Sequence, residues 1–176
     1  MTNTKPKILI FTDCNFFPGC EKPLENITNY SGITDKYEIV YSYRRSKKYT
    51  SDLKGKKLNA RLLPLFLLTP DFILNKFDKD KKISFVLAKI CVRIPERLHI
   101  FNFINLIIQL IVLFRENPQV VHINNGGYPG ADSCRVMAIA AGFSKVKKII
   151  FTVNNMAVPP NQLLDKYLDS LVDKYV

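Results

Sequence analysis

The residues best placed to do chemistry in this chain lie in the run Val120-Val121-His122-Ile123-Asn124-Asn125-Gly126-Gly127-Tyr128-Pro129-Gly130-Ala131. The β-branched start suits a strand covered on both faces, and the three glycines let a backbone turn tightly or approach a ligand closely. Asp132 and Ser133 follow as candidate caps of a helix, whose first N–H groups favour an anion. In an open α/β sheet ligands bind just beyond the carboxyl ends of the strands. The 120–133 segment is therefore the leading candidate site.

The elements that must position it are read from periodicity. Residues 7–12 form a first strand, followed by the loop 13–20 with Phe16, Phe17, Pro18 and Gly19, and a helix over about 21–30 with Pro23 in its first turn. Residues 37–43 predict a second strand. The polar, basic stretch 44–57 predicts a mobile loop, and 61–68 another strand limited by Pro64 and Pro70. A helix is expected over 84–94 until Pro95, a strand over 119–123, a helix over 133–142, a strand over 148–153 and an amphipathic helix over 161–176. Alternating strands and helices predict an α/β fold, a Rossmann-like parallel sheet with helices on both faces, as one domain over 1–176 with a basic insertion at about 44–82.

The net charge is +11, and 36–82 alone holds thirteen Lys or Arg against five acids. Such a field attracts polyanions, whether nucleic acid, lipid head groups or phosphorylated substrates. No recognised nucleic-acid module or Arg-aromatic motif is present, so nucleic acid is not expected as a partner. Lys82, Lys89, Arg93 and Arg97 share one side of a helix. That stripe is either a solvated face or one turned to a membrane or an acceptor. Residues 100–114 are apolar but too short to cross a membrane, and Asn102, Asn105 and Gln109 form a narrow polar stripe, so a buried helix is expected. Cys14, Cys20, Cys91 and Cys134 show no metal-ligand spacing and are expected as reduced thiols of a cytosolic protein, Cys91 and Cys134 in the core. No metal and no resident cofactor are expected, and the start of the chain carries no signal peptide pattern.

Three segments in order resemble glycosyltransferase family 4. Lys7-Ile8-Leu9-Ile10-Phe11 with Pro18-Gly19-Cys20-Glu21-Lys22, Leu24, Asn26 and Ile27 is similar to the family's opening strand, glycine-containing loop and helix. Glu116-Asn117-Pro118-Gln119-Val120-Val121-His122-Ile123-Asn124 is similar to its helix end and fourth strand, and Lys147-Lys148-Ile149-Ile150-Phe151-Thr152-Val153-Asn154-Asn155 to its fifth. The resemblance implies a GT-B fold of two Rossmann-like domains, the first binding the acceptor and the second the nucleotide-sugar donor through a Glu-x7-Glu motif. The five glutamates (21, 25, 38, 96, 116) contain no pair at that spacing. The chain is thus expected to be the acceptor half, as a fragment or one member of a split enzyme, with the donor-binding domain absent and no transfer activity alone.

By the same resemblance Gly19 belongs to the glycine loop near donor phosphates and acceptor, with Glu21 following it. Asn154 and Asn155 stand where many relatives have a His beside the donor sugar. Asn can hydrogen-bond a sugar hydroxyl but cannot carry a proton near neutral pH. His122 is either a satisfied core histidine or a cleft residue, and Phe16, Phe17 and Tyr128 either stack on a sugar ring or pack as lids. The implied function is acceptor binding for sugar transfer to a glycan or lipid-linked acceptor in polysaccharide or cell-envelope synthesis, in the cytoplasm or peripherally at the inner face of the cell membrane. The alternative is a non-catalytic module that binds a membrane or a donor-binding partner subunit. A dinucleotide oxidoreductase would need G-x-G-x-x-G after the first strand, where 13–19 has one glycine.

Overall fold

Leu9, Ile10 and Phe11 have no exposure to solvent, as expected of a central strand buried on both faces. In the computed structural model, which describes residues 5–14, 16–17, 19–78, 80–125, 128, 130–144, 146–159 and 163–176 and all their side chains but those of Cys20 and Lys82, they belong to β1 (Lys7–Thr12). The other strands are β2 (Glu38–Arg44), β3 (Arg61–Leu65), β4 (Val120–Asn125) and β5 (Lys148–Val153). All pair in parallel, in the order β3-β2-β1-β4-β5. The order reverses direction between β1 and β4, so a crevice opens there at the carboxyl ends. The expected α/β, Rossmann-like sheet is what the chain forms.

Alternate residues point to opposite faces. Leu9, Phe11, Val40, Val121 and Ile123 pack in one core cluster with Leu113 of α6 (Ile100–Glu116), Met137 of α7 (Asp132–Phe143) and Val172 of α8 (Leu163–Tyr175). Ile10, Ile39, Tyr41 and Tyr43 pack on the other face with Leu24 of α1 (Lys22–Asn29) and with Tyr49 and Leu53 of α3 (Lys47–Lys54). A short turn, α2 (Ser31–Thr34), leads into β2, and α4 (Pro70–Leu74) and α5 (Lys82–Arg97) lie between β3 and α6.

Several expectations are corrected. The stretch 44–57 is not a loop. It contains α3, started by Ser46, whose Oγ accepts from the Tyr49 N–H at 3.0 Å, and held by burial of Tyr49 and Leu53 four residues apart. Within the basic region β3 forms as an edge strand of the sheet, where Pro64 is tolerated. Pro95 does not end α5; the helix runs two residues further and breaks at His99, at φ 52°. Asn117 closes α6 in the left-handed region at φ 48°, with its N–H on the Leu113 carbonyl at 2.8 Å. Cys134 is buried as expected, but Cys91 is exposed on α5.

Candidate functional site

The crevice at the β1/β4 switch is a cavity of about 350 Å³. Asp13 follows directly on β1, Arg44 is the last residue of β2, Thr69 and Asp71 flank the start of α4, Asn102 sits on α6, and Asp132 and Ser133 begin α7. Gly130 turns the chain into α7 at φ 60°, a left-handed conformation that favours glycine.

Its wall is held by polar contacts. The Arg44 Nε–H donates to Asp13 Oδ1 in an ion pair, Arg44 Nη1 donates to Thr69 Oγ1 at 3.3 Å, and the Ser133 hydroxyl donates to Asp13 Oδ2. Asn102 Nδ2 donates to Asp132 Oδ2 at 3.1 Å. Neither Asp132 nor Ser133 caps α7: the N-cap is Ala131, without a side-chain hydrogen bond. Carboxylates already meet this helix end, through Asp132 in its first turn and Asp13 on Ser133. With Asp71 and Glu96, four carboxylates line the cavity, of which Asp13 pairs with Arg44 and Asp132 with Arg135, which lies behind the lining. Such a lining repels a phosphate and accepts hydrogen bonds from hydroxyl groups.

A basic groove of about 870 Å³ adjoins the cleft and shares Arg44 and Asp71 with it. Arg45, Lys47, Lys48 and Lys54 from the α3 side and Lys76 beyond α4 line it, and Asp71 is the one acid in that lining. Phe66 and Phe72 meet edge to face in its wall at 4.7 Å. This groove, rather than the start of α7, has the charge for an anion.

The residues expected from the sequence fall elsewhere. Glu21 is fully buried rather than open to a ligand, and accepts from the hydroxyls of Thr12 at 2.5 Å, Tyr41 at 3.2 Å and Tyr49. Burial raises its pKa above the usual carboxylate value, against the lowering effect of those hydroxyls. Gly19 is exposed, and a Cβ added there would meet nothing within 4 Å. Phe16 and Phe17 lie over α3: Lys48 Nζ sits 5.1 Å from the Phe16 ring, and Phe17 packs near Tyr49 with its N–H on Asp52 Oδ2 at 3.1 Å.

The asparagines hold the backbone of their own loop. Asn154 Nδ2 donates to Asn124 Oδ1 at 3.0 Å and to the Asn125 carbonyl at 2.8 Å, while Asn125 Oδ1 accepts from the Ala131 N–H at 3.2 Å. Gly126 and Gly127 lie outside the described residues. Tyr128 packs edge-on against Phe151 and lines a separate hollow with Asn155 and Val172, away from the cleft. His122 shares a 2.9 Å hydrogen bond with Thr152 Oγ1, and burial pushes its pKa below the usual histidine value, so its neutral ring is favoured. Lys89, Arg93 and Arg97 are exposed along α5, and the Lys82 side chain lies outside the described residues.

Sequence reasoning passed over Asp13, Arg44 and Asn102. The one local signal was an aspartate directly after the first strand; the others reach the cleft only through topology. Among the described residues no cluster of His, Cys, Asp or Glu could hold a metal ion.

No family model and no curated protein matches the chain. Among solved structures it is similar to a glycosyltransferase from Rickettsia africae ESF-5, with 16% identity and a TM-score of 0.53 over 97% of this chain and 35% of that one. A looser likeness, with 12% identity and a TM-score of 0.44 over 81% of this chain and 30% of that one, is to a putative UDP-N-acetylglucosamine 2-epimerase from Listeria monocytogenes. The chain thus spans about a third of the length of these neighbours, and what it shares with the Rickettsia glycosyltransferase is an α/β, Rossmann-like fold.

Proposed function

We propose that this chain is the acceptor-binding half of a GT-B glycosyltransferase similar to family 4, acting with a donor-binding half, in the same protein or in a partner subunit, that supplies the nucleotide sugar. The observation that carries the reading is the acid-lined cleft at the β1/β4 switch, opening beside a basic groove. The cleft carboxylates Asp71, Glu96 and Asp132 accept hydrogen bonds from acceptor hydroxyls and so orient one of them. Lys47, Lys48, Lys54 and Lys76 hold a phosphate on the same acceptor. That combination fits a phosphorylated or lipid-pyrophosphate-linked glycan better than a free nucleotide. The setting that goes with it is the cytoplasm, at the inner face of the cell membrane.

Calorimetric titration with a neutral oligosaccharide, the same oligosaccharide bearing a phosphate monoester, and UDP tests this. The phosphorylated glycan should bind most tightly. The triple variant Lys47→Gln, Lys48→Gln, Lys76→Gln should reduce its affinity to that of the neutral one, and Asp71→Ala with Glu96→Ala should weaken both glycans about tenfold or more, the scale of lost hydrogen bonds to charged groups. Tighter binding of UDP than of either glycan, or no glycan binding, would overturn the reading.

A further inference from the structure

A helix packed on a protein core normally turns its apolar side inward and its polar side to water. α6 departs from this: it is apolar nearly all round, and its polar residues other than Arg115 face inward. Its buried side carries Asn102, Asn105, Gln109 and Glu116 beside Phe101 and Leu113. Asn105 pairs with the Leu68 backbone through two bonds of 2.8 Å, Gln109 Nε2 donates to the Ser133 carbonyl at 2.9 Å, and Glu116 takes ion pairs from Lys7 and Arg61. The outward side is Ile100, Phe103, Ile107, Ile111 and Phe114, 42 to 64% exposed. Spaced three or four residues apart, they make one stripe about 21 Å long.

α5 also turns apolar side chains outward. Among its described side chains Ala88 and Val92 are buried, whereas Ile83, Val86, Leu87, Ile90 and Ile94 are 52 to 80% exposed. Lys89, Arg93 and Arg97, each four residues from the next, run along one shoulder of that apolar side and are exposed. Exposed apolar surface of this extent marks an interaction site.

We propose that the outward faces of α5 and α6 seat on an anionic lipid bilayer, with the isoleucine and phenylalanine stripes entering the boundary between head groups and acyl chains and the Lys89, Arg93, Arg97 row meeting the head-group phosphates. Charge complementarity selects this occupant. A second copy would bring the same basic row against itself, and like charges brought together oppose association. Neither helix alone is long and apolar enough to cross a membrane; the two together are, by length and composition, but they are bent by 64° at their junction. Because Asn105, Gln109 and Glu116 tie the inward side of α6 to the rest of the domain, the pair lies in the interface rather than spanning it. The surface is independent of the glycan reading, and loss of either leaves the measurement of the other unaffected.

The chain has no tryptophan, so Phe103→Trp supplies a unique reporter. With vesicles of phosphatidylcholine and phosphatidylglycerol its emission should shift to the blue and be quenched by brominated acyl chains. Each Lys or Arg near an anionic surface strengthens binding about fivefold, so Lys89→Gln, Arg93→Gln, Arg97→Gln together should weaken it about 100-fold. Ile107→Asp with Ile111→Asp, at exposed positions, should remove insertion while leaving the circular dichroism spectrum unchanged. Equal binding to pure phosphatidylcholine, absence of quenching by brominated chains, or a dimer in light scattering that Ile107→Asp dissolves would overturn the proposal, the last assigning the face to a second copy.

Discussion

Replacing Arg135 by methionine should lower unfolding stability by about 3–5 kcal/mol. The Arg135 side chain is 2% exposed. It pairs with Asp169 at 2.8 Å, with Asp165 at 3.0 Å and with Asp132, joining α7 to two acids of α8. Burial works against its charge, but the three carboxylates outweigh that and raise its pKa above the usual arginine value. Without the guanidinium, Asp169 is left buried beside two other acids, whereas the exposed Asp132 adds little. For a chain of this size the loss corresponds to roughly 6–20 °C in melting temperature. Adding Asp169→Asn to Arg135→Met should recover part of it. A loss below about 1 kcal/mol would mean that α8 is held by Leu168, Leu171 and Val172 alone.

Glu21→Ala should cost about 3–5 kcal/mol, because three hydroxyls lose their acceptor in a dry site. Glu21→Gln keeps one acceptor oxygen and should cost about 1 kcal/mol. Urea unfolding at several pH values separates charge from hydrogen bonding. Since burial raises the folded pKa above the unfolded value of 4.5, the stability Glu21 contributes is complete below pH 4.5 and is lost as pH rises through the folded pKa. Glu21→Gln should flatten that slope. An unchanged slope would show that the carboxylate is ionised equally well in both states.

The strands were readable where apolar residues run together. β1, β4 and the edge strand β5 stand out as short runs rich in Ile, Leu, Val or Phe, and their order with the intervening helices gives the parallel sheet. α3 was not readable, because Tyr49 and Leu53 alone hold it to the sheet while lysines dominate its composition. α6 shows a different limit. Spacing places Asn102, Asn105 and Gln109 on one face, but periodicity does not say whether that face meets the core or water, and the two answers invert the surface. Asn124, Asn125 and Asn154 were rightly grouped at the sheet end, yet backbone groups that a turn leaves unpaired engage their amides. The cleft is assembled from positions 13, 44, 102 and 132, which no local pattern connects.

The central claim is that the acceptor occupies the β1/β4 cleft and the basic groove rather than the hollow beside Tyr128 and Asn155. Amide hydrogen exchange with and without a saturating phosphorylated oligosaccharide tests it most directly. Protection should rise in 45–54, 68–76 and 130–135, with 148–158 unchanged. Protection confined to 148–158, or the first pattern produced by UDP and not by the glycan, would contradict it.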